Sequence, residues 1–455
     1  MSLLLFSLVF YAWGEPKYVM LLMFMALTSW FCALRVAGAG TRGRKKLWVA
    51  VSCTMDILLI GFFKYSGLVC SVFGQVPEFI ENIALPIGIS FYTFQLLTYV
   101  VDVYRGDAEA QPNYLNVLLY AALFHQCVAG PIVRYKTVAH ELFVERDSRD
   151  LLSGISRFSV GLAKKTLLAN PCGALADQLL LSTDAASNAS LFAENLASLS
   201  ELSALGAWVG VAAFMMQIYL DFSAYSDMAI GMGRMLGLHY LENFDYPYLS
   251  KTVTEFWRRW HISLGTFFRD YVYIPLGGRQ CSKARSVFNL FVVWALTGLW
   301  HGAHWNFVLW GLYFFVFILI ERLFLKRLFA KLRILPHIYL LFVVFVGWIL
   351  FHFTDVRLGW TVFLGLFGAN GNAATDFVSI TLLKNNVFLL GVSAVACTPL
   401  VKTMANGAGT RLRRSRSGQR LCDLTAHVVF PIIFLLLSTA SLVGDSYNPF
   451  IYFQF

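Results

Sequence analysis

Charge is what this chain has least of. Only 14% of its 455 residues are Asp, Glu, Lys or Arg, well below the quarter or so that soluble domains carry to cover water-facing surface. With 58% hydrophobic residues and 41 Phe beside that scarcity, a soluble globular fold, a disordered chain, a coiled coil and a collagen repeat are all excluded. A secreted disulfide scaffold is excluded with them. The eight cysteines, scattered from Cys32 to Cys422, include no CxxC or other metal-ligand spacing. Most lie in apolar segments, where a free thiol behaves as a small hydrophobe. The apolar N-terminal stretch lacks a basic leading region and a small-residue cleavage site, so no cleaved signal peptide is expected. What remains is a polytopic membrane protein.

The net charge of +10 sits in short basic clusters between apolar stretches, the pattern of cytoplasmic loops rather than of a nucleic-acid surface. Spanning helices, each needing roughly 20 apolar residues, are expected at 17–35, 47–64, 83–103, 155–182, 203–236, 286–302, 304–321, 335–354, 386–404 and 424–443. Basic clusters around Arg42–Lys46, Arg322–Arg333 and Lys402–Arg420 are placed in the cytoplasm. The acid-bearing loops 65–82 and 183–201 are placed outside. An even number of crossings must then separate those two loops, yet three apolar segments lie between them. Segment 113–133, with His125, Gln126 and a Gly130-Pro131 break, is the weakest and reads as re-entrant, which requires protein or a wet cavity around its freed backbone.

Polar groups inside apolar runs need a reason. Gln217-Ile-Tyr-Leu-Asp221-Phe-Ser-Ala-Tyr-Ser-Asp227 holds two carboxylates in an otherwise hydrophobic stretch. They serve either a helix-packing network or a substrate path. The segment Glu255-Phe-Trp-Arg258-Arg259-Trp-His261, running on to Pro275-Leu-Gly-Gly278, is too rich in Trp and Arg for a spanning helix. It fits an interfacial amphipathic helix or a chain folded into a cavity, where Arg side chains could hold the phosphates of a cytosolic cofactor. In Trp300-His301-Gly302-Ala303-His304, the two histidines would share one face of a continuous helix. Without a third ligand, and with Gly302 interrupting the helix, no metal site is expected. A buried neutral imidazole suits a general base acting on a hydroxyl.

These motifs resemble one family. Trp257-Arg-Arg-Trp-His261-Ile-Ser-Leu, Arg269-Asp-Tyr-Val-Tyr-Ile-Pro-Leu-Gly-Gly278 and Trp300-His301-Gly302 resemble the membrane-bound O-acyltransferases, within them the bacterial alginate O-acetylation branch. Phe10-Tyr-Ala-Trp-Gly-Glu-Pro16, Ser90-Phe-Tyr-Thr-Phe94, Val101-Asp-Val-Tyr-Arg-Gly106, Ala129-Gly-Pro-Ile132, Gln217 to Asp227 and Asn448-Pro-Phe-Ile-Tyr452 match the same branch. The resemblance covers nearly the whole chain. It departs at the N-terminus, where members usually carry one more hydrophobic helix before the Tyr-Ala-Trp-Gly-Glu-Pro motif, and at His304, where small residues are common.

The resemblance implies an all-α polytopic membrane protein of about 10–12 transmembrane helices, with re-entrant and short helices around a central catalytic tunnel. It implies a single domain over 1–455, with a catalytic core at approximately 83–321. His301 is implied as the catalytic histidine and His261 as its partner, orienting or polarising. Arg258, Arg259, Asp221, Asp227 and Trp300 are candidates for binding substrate or donor. No cofactor is implied as permanently bound. Acetyl-coenzyme A or another acyl thioester is the expected donor, an exported polysaccharide such as alginate the expected acceptor, and a periplasmic SGNH-type acyltransferase the expected partner, all at the bacterial inner membrane. Peptidoglycan or cellulose O-acetylation and D-alanyl transfer by the same fold are the alternatives, followed by a non-enzymatic polysaccharide transporter or assembly subunit.

Overall fold

The computed structural model describes residues 1–74, 76–128, 130–142, 148–181 and 189–444. Among them every regular element is a helix. The chain divides into two compact units, one of Met1–Gly154 with Ala229–Glu242, the other of Ile155–Met228 with Asn243–Phe455.

The first unit is built on α1 (Ser2–Gly14), α2 (Val19–Gly38), α3 (Arg42–Ile60), α4 (Ile89–Arg105) and α5 (Tyr114–Ala122). Leu22, Met25 and Ala26 of α2 and Tyr92, Leu96 and Tyr99 of α4 are fully buried in its core. Gly88, at φ 76°, starts α4 where a Cβ would lie 2.2 Å from the Cys127 carbonyl oxygen. Only glycine fits that approach. The nine residues of α5 cover about 14 Å at 1.5 Å each, half a hydrocarbon core. Beyond Ala122 the chain is irregular, and side chains satisfy its backbone. Tyr120 Oη donates to the Val133 carbonyl at 2.8 Å and Gln126 Nε2 to that of Tyr120 at 2.6 Å. This is how a segment such as 113–133 can hold non-helical backbone away from water; Ala129 lies outside the described residues.

The long run 155–182 is broken in a way its hydropathy conceals. It comprises α6 (Ser148–Lys164), a π-helical turn at Lys165–Ala169, and α7 (Asn170–Leu180). The basic side chains of that junction meet the acids of α8 (Ala204–Met235). Arg157 and Lys164 both pair with Asp227, at 2.6 and 2.5 Å, and Lys165 pairs with Asp221 at 2.6 Å.

Two one-to-two-turn helices follow, α9 (Val253–Arg259) and α10 (Ile262–Phe268), and then a helical hairpin of α11 (Lys283–His301) and α12 (Trp305–Ile320). The hairpin is tight because two glycines face it. A Cβ on Gly298 would lie 2.4 Å from the Phe307 carbonyl oxygen, and one on Gly311 2.4 Å from that of Trp294. The second unit continues through α13 (Leu335–His352), α14 (Val356–Gly365), α15 (Phe377–Ala396), α16 (Leu400–Leu412), α17 (Arg416–Leu424) and α18 (Phe430–Gly444). Asp355 caps α14, and hydrogen bonds from Arg357 beside it hold its carboxyl below the usual range.

Seven described helical stretches are long and apolar enough to cross a membrane. The 17-residue α4 and the basic-ended α11 are the next candidates. Several expected boundaries shift. Segment 386–404 starts instead at Phe377, because Asp376 caps the helix by accepting the Ser379 N–H at 2.8 Å. The clusters Arg42–Lys46 and Arg411–Arg420 are largely helical rather than loop, and the segments 65–82 and 183–201 hold short helices at Ser66–Val72, Glu78–Glu81 and Ala189–Ser200.

Candidate active site

The site is assembled in the second unit, where α9 and α10 are too short to span and are held in place by side chains. Thr252 accepts the Glu255 N–H at 3.0 Å, an ordinary N-cap. The remaining amide donors of the first turn are taken by Glu321, which follows α12. Its carboxylate accepts the Val253 N–H at 2.5 Å, the Thr254 N–H at 3.2 Å and the Thr254 hydroxyl at 3.1 Å. The helix ends at Arg259 so that the chain can reverse. His261 takes φ 45° and ψ 55°, a left-handed conformation rare for a residue with a Cβ.

The reversal buries the His261 imidazole, 1% exposed. Its Nδ1 lies 3.2 Å from Asn243 Oδ1, and the Asn243 carbonyl accepts the Ile262 N–H at 2.9 Å. Phe222 of α8 closes one side with ring centroids 4.8 Å apart, and Trp300 of α11 another at 5.7 Å. Nε2 has no hydrogen-bond partner among the described residues.

His301 is the last residue of α11 and is 7% exposed. Gly302 then runs extended, and a Cβ there would strike the Phe307 ring at 2.3 Å. The imidazole stands edge to face against Trp310 at 4.9 Å and Phe351 at 5.4 Å. Trp300 contacts both histidines, its ring centroid 5.7 Å from His261 and 5.0 Å from His301, so the imidazoles lie within about 11 Å of each other. Two groups expected at one site are therefore neighbours across a single side chain. His304, by contrast, is exposed at the start of α12 and does not share the His301 environment.

A cavity of about 1080 Å³ opens beside α9. Its walls carry Lys251, Arg258, Arg269, Arg279, Arg322 and Lys326 against the acids Glu255 and Glu321. Both acids are engaged: Glu321 with the α9 backbone, Glu255 with Arg259 Nη2 at 2.8 Å and the Lys251 N–H at 3.0 Å. Arg269 is paired with Asp270 at 2.7 Å. Lys251, Arg258, Arg279 and Lys326 have no carboxylate partner among the described residues. The result is a concentrated positive field with donors to spare, a surface suited to phosphate. Neither histidine lines the cavity. A layer of rings starts at Trp257, the residue before the cavity-lining Arg258, and reaches His301: Trp257 packs on Trp294 (5.0 Å), Trp310 (5.3 Å) and Phe314 (4.9 Å), and Trp310 packs on His301.

The other residues singled out in the sequence separate cleanly. Arg258 faces the cavity, whereas Arg259 is turned to Glu255 and, at 3.8 Å, to Asp245. Asp221 and Asp227 are engaged with Lys165, Lys164 and Arg157, the helix-packing alternative. Sequence reasoning missed Asn243 and Glu321. Neither carries a motif signal: the partners of Glu321 are mostly backbone groups 67 and 68 positions away, and those of the Asn243 side chain lie 17 to 20 positions away.

The family model for the membrane-bound O-acyltransferases matches residues 9–363. The chain belongs to that family. It is accordingly a multi-pass membrane acyltransferase, and His301 and His261 fall inside the matched region. Among its relatives, a probable alginate O-acetylase of Azotobacter vinelandii is 33% identical over 100% of this chain and 94% of its own length. The probable alginate O-acetylase of Pseudomonas aeruginosa is 32% identical over the same shares. A peptidoglycan O-acetyltransferase of Helicobacter pylori is 30% identical over 81% of this chain and 74% of its own.

Proposed function

We propose that this acyltransferase moves acetyl groups from acetyl-coenzyme A, bound from the cytoplasm, through the bacterial inner membrane for O-acetylation of an exported polysaccharide such as alginate. One domain over 1–455 would do this, with its catalytic core at about 83–321. The observation that carries the reading is the placement of two buried histidines on either side of Trp300, in the same unit as a cavity whose walls carry several cations without a carboxylate partner. Arg258 and its neighbours hold the donor phosphates, leaving the thioester arm free to extend past Trp257 toward His301.

There the acceptor oxygen attacks the thioester carbonyl carbon. His301 takes the hydroxyl proton as the C–O bond forms, the C–S bond breaks, and the departing thiolate recovers a proton. Base assistance of this kind contributes roughly 10²–10⁴-fold. Positioning and stabilisation of the carbonyl oxygen supply the remainder. A periplasmic SGNH-type acyltransferase completes delivery to the polymer. The similarity to the alginate O-acetylases over the full length supports this acceptor over peptidoglycan.

The test is acetylation in cells lacking their own copy of the gene and expressing the chain or its His301→Ala variant at matched levels. Loss of polymer-bound acetyl is expected. Retention at near-normal levels removes His301 from the reaction, and acetyl appearing on peptidoglycan instead reassigns the acceptor.

A further inference from the structure

The atom that fixes the role of His261 belongs to a residue with no motif around it. Asn243 is fully buried. Its Oδ1 lies 3.1 Å from the Ser263 backbone nitrogen, 2.9 Å from the Ser263 hydroxyl and 3.2 Å from His261 Nδ1. A backbone N–H can only donate, so the Asn243 atom facing it is the carbonyl oxygen and not the amide nitrogen. The Asn243 amide then donates to Ser226 Oγ at 3.2 Å, which ties the group to α8. An amide oxygen can only accept. Ser263 Oγ also lies 3.3 Å from Nδ1, but its hydroxyl proton has the shorter contact, 2.9 Å, to Asn243 Oδ1. His261 Nδ1 therefore carries its proton, and in the neutral ring Nε2 is left with a bare lone pair. That nitrogen is buried and has no partner among the described residues. The backbone reinforces the arrangement, since the Ile262 N–H bonds to the Asn243 carbonyl and a left-handed His261 turns the ring toward Asn243.

We propose that Asn243 is a positioning residue that locks His261 in its Nδ1–H tautomer. His261 then serves the reaction as a hydrogen-bond acceptor that orients the acceptor through a second O–H group, while His301 takes the proton of the attacking hydroxyl, and not as a donor to the thioester carbonyl. The inference rests on the acyl-transfer reading and selects between orienting and polarising, the two roles open to this histidine. A polarising His261 would need Nε2–H, the tautomer Asn243 disfavours.

Membranes from cells lacking their own copy of the gene, supplied with labelled acetyl-coenzyme A, give the rate of polymer-bound label against donor concentration. Asn243→Leu and Asn243→Ala remove the acceptor. Whichever accumulates is expected to lose roughly 10²-fold in kcat, with the donor KM within about twofold. Asn243→Asp keeps an oxygen for Nδ1–H and for Ser263, while the Ser226 hydroxyl can rotate to donate to the second oxygen. It is expected to recover at least tenfold of the loss. A merely structural Asn243 would change the amount of protein, not split kcat from KM. The proposal is overturned if Asn243→Leu or Asn243→Ala keeps its kcat, or if Asn243→Asp accumulates normally yet falls as far as they do. His301→Ala is measured alongside. Its full activity would remove His301 from the reaction, and no polymer-bound label above background from the parent chain would sink the acyl-transfer reading, whereas an inactive His301→Ala beside fully active Asn243 variants would sink only the positioning role.

Discussion

Glu321 and Val253, 68 positions apart in sequence, are joined by a hydrogen bond of 2.5 Å from backbone amide to buried carboxylate. The bond anchors the N-terminus of α9 to the end of α12. The ring layer on Trp257 and the cation at Arg258 thus depend on one acid outside every recognisable motif. Glu321→Ala strands two buried amide donors, each costing about 1–3 kcal/mol. A lower melting temperature for the detergent-solubilised variant is expected. Glu321→Gln, which retains one oxygen, should lie between it and the parent, and an unchanged melting temperature in both would remove Glu321 as an anchor.

The cavity makes a kinetic prediction. Arg258→Ala and Arg279→Ala each delete a cation with no carboxylate partner among the described residues, so little stability should be lost. Each is expected to raise the donor KM roughly tenfold, the equivalent of about 1.4 kcal/mol, with kcat nearly constant. Arg259→Ala, whose guanidinium is turned to Glu255, should leave KM alone. A KM shift for Arg259 and none for Arg258 would reverse the assignment.

Asp221 discriminates packing from substrate contact. Removing it alone breaks the buried ion pair with Lys165, a loss of about 3–5 kcal/mol. Asp221→Asn should therefore fail to accumulate, whereas the double variant Asp221→Leu with Lys165→Met should restore both protein and acetylation. A double variant that accumulates normally but transfers nothing would place Asp221 on the substrate path.

His261 should tolerate one replacement better than others for reasons of backbone alone. At φ 45° a left-handed residue costs about 1–2 kcal/mol unless it is Gly or Asn. His261→Asn should then accumulate to a higher level than His261→Ala, both being slow in transfer. Equal amounts of the two would argue that the reversal is not strained.

Orientation is checked at Lys283, exposed in the first turn of α11. A cysteine introduced there, in a background shown to be unreactive, should be labelled by an impermeant reagent from the cytoplasmic side alone. Labelling from the periplasm would invert the donor side.

Hydropathy located the simple spans well. Segment 203–236 is Ala204–Met235 and 335–354 is Leu335–His352, because in both the apolar run and the helix end together. It failed where a polar N-cap sets the start, as Ser282 does before Lys283 and Asp376 before Phe377, since capping and not hydrophobicity fixes those starts. It also read 155–182 as one run, although Arg157, Lys164 and Lys165 meet acids on α8 around a π-helical turn. At the site, the histidines stood out because imidazole is rare in apolar sequence. Asn243 is an ordinary polar residue in an ordinary loop, and its importance arises only when the left-handed turn at His261 brings residues 18 positions away against it.

The ring layer of Trp257, Trp294, Trp310 and Phe314 also bears on the energetics of crossing a charged membrane. Moving one elementary charge through the full potential is worth about 2.3 kcal/mol per 100 mV. A donor whose phosphates stay among Arg258, Arg279 and Lys326 sends only an uncharged acyl group past the rings. The potential then does no work on the cargo in either direction. Transfer by that route would proceed at the same cost in a resting or an energised cell.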